Sequence, residues 1–220
     1  MAKTLGLIHT SATLVPVFQA LTDKYLAGKD IKIFNIVDDS LIKNTIERGV
    51  MTPDTSRRVV DYVGSAEAAG ADFILVTCSS IGAAVESSVP LTKVPVLRVD
   101  QPMADKAVQM GTKIGVVATL PTTLEPTSDL VRRRAIFAGK EIELTSRLCE
   151  GAFDALMNGN PEIHDESVVS VLKELSQKVD VILLAQASMA RVVSQLTDED
   201  QKVPILTSPE LAVQHLAEIL

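Results

Sequence analysis

The chain has 220 residues, 46% of them hydrophobic and 22% charged, enough for one large core or two smaller ones and too apolar for a disordered chain. A formal charge of −7 without any basic run argues against nucleic acid or an anionic membrane surface as partner, and 3% aromatics with no Trp leave little to stack bases or sugars on. Two cysteines, Cys78 and Cys149, are too few for a disulfide framework and read as free thiols in a reducing cytosol. The opening "MAKTLGLIHTSATLVP" offers only "LGLI" as an apolar stretch, too short for a signal-peptide core, and no run approaches the length of a membrane span. The expectation is a soluble cytoplasmic protein.

In chain order, seven short apolar runs lack polar alternation: "TLGLIH" (4–9), "IKIFNI" (31–36), "DFILVT" (72–77), "VPVLRV" (94–99), "KIGVVAT" (113–119), "VDVILLA" (179–185) and "VPILTS" (203–208). Strands covered on both faces have this look. Segments of helical period separate them, among them "TSRRVVDYVGSAEAAG" (55–70) and "DESVVSVLKELSQKV" (165–179). In the second, Val168, Val171, Leu172 and Leu175 recur at helical spacing, Asp165 is placed to cap the start, and Lys178 falls in the last turn. Strand alternating with helix predicts parallel sheets and an α/β fold.

An internal repeat adds to this. "GLIHTSATLVP" (6–16) matches "GVVATLPTTLEP" (115–126), "ADFILVTCSSIG" (71–82) matches "VDVILLAQASMA" (179–190), and "KVPVL" (93–97) matches "KVPIL" (202–206). The offsets are all 108 or 109 residues. That period is far too long for a solenoid and predicts two similar α/β lobes. The first is expected over 1–98 plus 208–220, the second over 99–207. Each lobe is a parallel sheet flanked by helices. Ligands of open parallel sheets bind outside the carboxyl ends of the strands, so the expected active site is a cleft between the lobes, with Cys78 and Gln186 on opposite walls.

The loops after these strands carry the chemistry. Cys78 follows an apolar run and precedes Ser79, Ser80, Ile81 and Gly82, as at a helix start, where free N–H groups and the dipole favour a thiolate. Ser79, Ser80 and the adjacent N–H groups suit a carboxylate or a developing enolate oxygen. Thr10 and Thr119, with Thr13 and Thr122 or Thr123 behind them, are candidate hydroxyl donors to a carboxylate. Helix capping is the alternative use for such threonines. Gln186 has no proton-transfer pKa near neutrality, so it orients substrate by hydrogen bonds, beside Ala187 and Ser188. Cys149, in "TSRLCEGAFDAL", is expected mid-lobe, away from a strand end, as core. His164 is expected before a helix and His215 inside the last one, without metal-ligand spacing, so no metal is called for. Phosphate-loop motifs are absent, and no nucleotide or other cofactor is expected. Arg57 and Arg58 are either anchors for a distal carboxylate or solvent-facing helix residues.

Thr-rich first loops, "TCSS" in one half and "LAQASM" in the other together resemble the aspartate/glutamate/hydantoin racemase superfamily, with arylmalonate decarboxylase and maleate isomerase as relatives. The resemblance spans essentially the whole chain. It implies cofactor-independent proton transfer at the carbon next to a carboxylate of a small acid or amino-acid derivative, and a homo-oligomer. In the racemases one cysteine from each lobe faces that carbon. Cys78 matches the first position and Gln186 stands at the second, which predicts a single catalytic thiol. His9 ends the first strand, ahead of Thr10 and Ser11, where glutamate racemases carry an acid that assists the first thiol. It is therefore the candidate partner for the Cys78 proton. The alternatives are decarboxylation of a malonate-like acid, thiol addition in a cis–trans isomerase, and a two-lobe protein that only binds a small acid.

Overall fold

The computed structural model describes residues 2–197 and 200–220. The chain divides into two compact units, one running to Val99 and resuming at Pro209–Leu220, the other Asp100–Ser208.

The first unit is built on four parallel strands: β1 (Lys3–His9), β2 (Ile31–Val37), β3 (Phe73–Val76) and β4 (Val96–Arg98), in the order β2-β1-β3-β4. Helix α1 (Leu14–Tyr25) links β1 to β2, α2 (Ser40–Arg48) and α3 (Pro53–Ala68) link β2 to β3, and α4 (Gly82–Ser88) precedes β4. The apolar runs alternate between two covered faces. Leu5, Leu7, Leu75 and Leu97 pack with Phe18 of α1 and with Ala212, Val213 and Leu216 of the C-terminal helix, α10 (Ser208–Ile219). Ile8, Ile74 and Val76 pack on the other face with Leu41, Val59, Val63 and Val85. Buried on both sides, these strands need no polar alternation.

The second unit repeats the plan. Its strands are β5 (Lys113–Ala118), β6 (Glu143–Leu148), β7 (Val181–Leu184) and β8 (Ile205–Thr207), parallel and ordered β6-β5-β7-β8. Its helices are α5 (Gln101–Met110), α6 (Pro121–Phe137), α7 (Ala152–Met157), α8 (Pro161–Leu175) and α9 (Ala190–Val193). Val117, Ile182 and Leu184 pack beneath Val168, Leu172 and Leu175 of α8. In each sheet the winding reverses between the first and third strands, β1 and β3 or β5 and β7. At that point two neighbouring loops diverge and leave a crevice at the carboxyl edge.

Several expectations need correction. β6 is an eighth strand that the apolar runs do not reveal, because "ELTSRL" is an edge strand whose residues are half-buried or exposed. Cys149 therefore lies directly at a strand end, its N–H bonded to the Ala118 carbonyl, although it is core as expected. Helix α8 starts at Pro161, a residue suited to the first helical position since its missing N–H would find no partner there. Asp165 is thus inside the helix instead of capping it, and His164 is inside it instead of before it. Lys178 lies beyond the end of α8 and pairs with Glu174.

The repeated glycine has a packing reason. A Cβ on Gly115 would come 2.6 Å from Leu175 Cδ2, and one on Gly6 would come 3.1 Å from Phe34 Cζ and 3.3 Å from Ala71 Cβ. At the same point of each sheet, the glycine lets neighbouring side chains close over the strand. Gly115→Ala is expected to cost about 1–3 kcal/mol through overpacking, and Gly6→Ala less, since its neighbours need shift only by tenths of an ångström. Denaturant midpoints of the two variants check the order.

Candidate active site

The carboxyl edge of the first unit assembles from the ends of β1 and β3. Cys78 follows β3 with extended backbone (φ −135°, ψ 120°) and caps a single 3-10 turn, Ser79–Ile81, that runs into α4. Thr10, immediately after β1, is buried, as are Ser79 and Ser80. Two effects on the Cys78 sulfur compete. Burial pushes the thiol up, while the hydroxyls of Thr10 and Ser80 and the N–H groups of Ser80 and Ile81 favour the thiolate. Burial wins, although the residue as a whole is only half-buried. A helix start depressing this thiol was the expectation. The donors are present, but desolvation of the sulfur outweighs them.

His9 stands one residue before Thr10 and is fully buried. Its Nδ1 lies 2.9 Å from Thr77 Oγ1 and its Nε2 2.9 Å from Asn35 Oδ1. Burial holds the imidazole below its ordinary value, with the Asn35 bond opposing. Both ring nitrogens are thus engaged by the residue before Cys78 and by β2, and the histidine ties β1, β2 and β3 together at the carboxyl edge. Ser11 is used locally, its hydroxyl 2.8 Å from that of Thr13 and accepting the Thr13 N–H at the start of α1.

The 3-10 turn is held from below by Arg98, the last residue of β4. This guanidinium is 2% exposed, donates to Glu86 of α4 at 2.7 Å, and lies flat against Gly82. Its signal in the sequence was a charge inside the apolar run "VPVLRV", a placement that requires a partner. Arg58 is not simply solvent-facing: it pairs with Asp38, which also accepts from Tyr62 at 2.7 Å, while Arg57 is exposed. Asp38, though partly buried, is held below the usual carboxylate range by these bonds, by Ser40 and by the charge of Arg58.

In the second unit the same positions converge. Gln186 follows β7 with almost the backbone of Cys78 (φ −129°, ψ 140°) and caps the 3-10 turn Ala187–Met189. Its Oε1 accepts from the Thr119 N–H at 2.5 Å and from the Thr119 hydroxyl at 3.0 Å. A backbone N–H only donates, so the atom facing it is the amide oxygen, and the NH2 points away as the free donor. Thr10 beside Cys78 and Thr119 beside Gln186 are thus the same pair written twice. Thr119 is buried, and Ala187 and Ser188 are half-buried. Thr122 lies in the first turn of α6 with its hydroxyl buried and without a hydrogen-bond partner. Neither Thr10 nor Thr119 caps a helix; Thr13 and Leu120 hold those positions.

The thiol of Cys149 packs under α8, where burial pushes it up to about 11 against a weaker opposing bond from Ser167. Among the described residues no group of three or more His, Cys, Asp or Glu could hold a metal ion, and no helix is long and apolar enough to cross a membrane.

Two doubly wound parallel α/β units, each with a threonine–thiol or threonine–amide pair at its switch point, define the class of protein. A family model described as Asp/Glu/Hydantoin racemase matches residues 5–216, and the chain belongs to that family. Similar solved structures include Picrophilus torridus aspartate racemase (16% identity, 98% of this chain and 94% of that one, TM-score 0.74). Glutamate racemase RacE1 from Bacillus anthracis (17%, 99% and 81%, 0.73) and allantoin racemase from Klebsiella pneumoniae (18%, 99% and 87%, 0.67) share the fold as well.

Two expected outcomes follow from this geometry. A Cβ on Gly82 would lie 2.3 Å from Arg98 Cζ, and the buried, paired guanidinium has nowhere to go. Gly82→Ala should therefore cost about 1–3 kcal/mol and alter the iodoacetamide rate at Cys78, read by thermal melts and mass spectrometry. For Cys149 the folded state holds the neutral thiol, so its stabilising contribution is complete below pH 9.0 and is lost as pH rises through about 11. Unfolding free energies from pH 8 upward should fall more steeply for the native protein than for Cys149→Ala, the difference approaching about 2–3 kcal/mol.

Proposed function

We propose that the protein is a cofactor-independent isomerase with racemase-like chemistry, moving a proton at the carbon next to the carboxylate of a small acid or amino-acid derivative, with Cys78 as its one catalytic thiol. The observation that carries the reading is the Cys78 sulfur itself. It follows β3 at the start of the 3-10 turn, and the Thr10 and Ser80 hydroxyls and the Ser80 and Ile81 N–H groups are donors that can take up the charge when the proton leaves. The structurally similar proteins named above act on aspartate, glutamate and allantoin, each with a stereocentre beside a carbonyl carbon.

In this reading the hydroxyls of Thr10, Ser79, Ser80 and Thr122 and the N–H groups about Ala187 and Ser188 bind carboxylate oxygens, while the Thr119 hydroxyl holds Gln186. Such donors stabilise the enediolate that forms when the α-carbon loses a substituent. Gln186 orients the substrate through its NH2, because its oxygen is already committed to Thr119. Ser11 shapes the first loop. His9 fixes the strand ends through Thr77 and Asn35 instead of exchanging the Cys78 proton directly.

A second reading is favoured by one feature: the position in the second unit that matches Cys78 holds Gln186, an amide that cannot carry a proton. A malonate-like acid would lose CO2, the electrons of the broken C–C bond would form the enediolate, and the Cys78 S–H would protonate the carbon. Solvent would then return a proton to the thiolate. One acid suffices for that sequence.

The test is turnover of small dicarboxylates, substituted malonates and amino acids in D2O, followed by NMR. Racemisation places deuterium at the α-carbon of recovered substrate, while decarboxylation labels only the product. Cys78→Ala should lower turnover by about 10²–10⁴-fold or more. Full activity of that variant would refute the proposal, and binding without turnover by the native protein would mark it as a binder.

A further inference from the structure

The two units secure their functional turns by different means. Helix α4, which follows Cys78 and its turn, spans seven residues and buries Gly82, Ala84, Val85 and Ser88. Helix α9, which follows Gln186 and its turn, is a single turn of four residues with Val192 as its buried side chain. The second is anchored through fewer of its own residues, with Met189 of the turn and Val192 in the core and Val193 and Leu196 packed against it.

A polar cluster adds to this packing. Asp165 of α8 is buried, and its Oδ1 accepts from Arg191 Nη2 at 2.7 Å and from His164 Nδ1 at 2.7 Å. Its Oδ2 accepts from Gln195 Nε2 at 2.7 Å. Arg191 is in α9 and Gln195 lies two residues beyond its end, so one carboxylate grips the helix behind the Gln186 turn and the segment that leaves it. A carboxylate only accepts, so the His164 ring carries its hydrogen on Nδ1. Helix α8 precedes β7 in the crossover and runs antiparallel to the strands, which puts its first turns at the carboxyl edge where Thr119 and Gln186 lie. The first unit has no such cluster at the corresponding place. There the residue one repeat earlier is Ser56, whose hydroxyl bonds to the Thr52 carbonyl within its own helix start.

We propose that Asp165 is a positioning residue for Gln186: by holding Arg191 and Gln195 it fixes α9 and so sets where the turn presents the Gln186 amide. The role of Gln186 in orienting substrate, as argued above, is assumed. Charge-assisted bonds to a buried carboxylate are strong and directional, and removing one partner leaves an uncompensated charge. A one-turn helix without them rests on Val192 and its apolar neighbours alone and opens locally more readily.

The experiment compares hydrogen exchange of the native protein, Asp165→Asn, Arg191→Met and Arg191→Lys. In Asp165→Asn and Arg191→Met, amides of residues 187–193 are expected to exchange about tenfold faster or more, those of residues 79–85 unchanged. Arg191→Lys, which keeps a cation near Asp165, should restore much of the protection. With a substrate identified by the D2O assay, Asp165→Asn should raise KM about tenfold and change kcat by less than about threefold, since the Cys78 turn is untouched. Unchanged exchange at 187–193, an equal rise throughout the chain, or a fall in kcat at constant KM would each overturn the proposal. Should no substrate emerge, the exchange comparison alone decides the matter, so the failure of the catalytic reading and of the brace are told apart.

Discussion

A backbone N–H can give a hydrogen bond but not take one, and at the end of β5 that asymmetry settles what its neighbour must be. The Thr119 N–H and hydroxyl both reach toward residue 186, so the group there has to be an acceptor on one side. A glutamine satisfies this with its oxygen and turns its NH2 outward. At the matching place in the first unit, Thr10 and the amides of the 3-10 turn meet a sulfur, which becomes a better acceptor once its proton has gone. One backbone scaffold therefore holds two kinds of group, a thiol that has a proton to lose and an amide that has none near neutrality. The rest of each unit exists to bring a β1-type and a β3-type strand end side by side at the reversal of the winding.

Duplication kept the scaffold and let its supports diverge. Glycines at positions 6 and 115 make the same room over each first strand. Below the Cys78 turn lies a buried arginine paired with Glu86, and behind the Gln186 turn lies a buried aspartate paired with Arg191. Asp165 is held below the usual carboxylate range because hydrogen bonds from His164 and Gln195 and the charge of Arg191 outweigh its burial. Each half thus places one desolvated charge next to its turn, of opposite sign and from a different element. Such pairs add little net stability against apolar packing, but they fix geometry, because breaking them leaves a charge without water.

The parallel sheets, the two-unit plan and the repeat that aligns Cys78 with Gln186 were legible in the sequence, because doubly covered strands write themselves as unbroken apolar runs. β6 was not, since an edge strand exposes Glu143 and Arg147 and loses the pattern. Missing it also displaced Cys149 from its strand end. Asp165 reads as a cap because the apolar period begins only at Val168, whereas the helix begins at a proline about two turns earlier. The engagement of His9 with Asn35 and Thr77 joins residues 26 and 68 positions apart. Periodicity reports which face a residue takes, and cannot report which side chain meets it across a sheet. The net direction of the Cys78 shift was hidden for the same reason: the donors are local and readable, while the desolvation that outweighs them comes from packing.

The chain leaves the first unit after β4, builds the whole second unit, and returns with α10 to cover one face of the first sheet. Ala212, Val213 and Leu216 therefore complete a core whose other members include Leu5 and Leu7, from the far end of the described chain. During synthesis the later-encoded unit has all of its residues before the earlier one does. The unit that bears the thiol must wait, with an apolar sheet face uncovered, until α10 has been made.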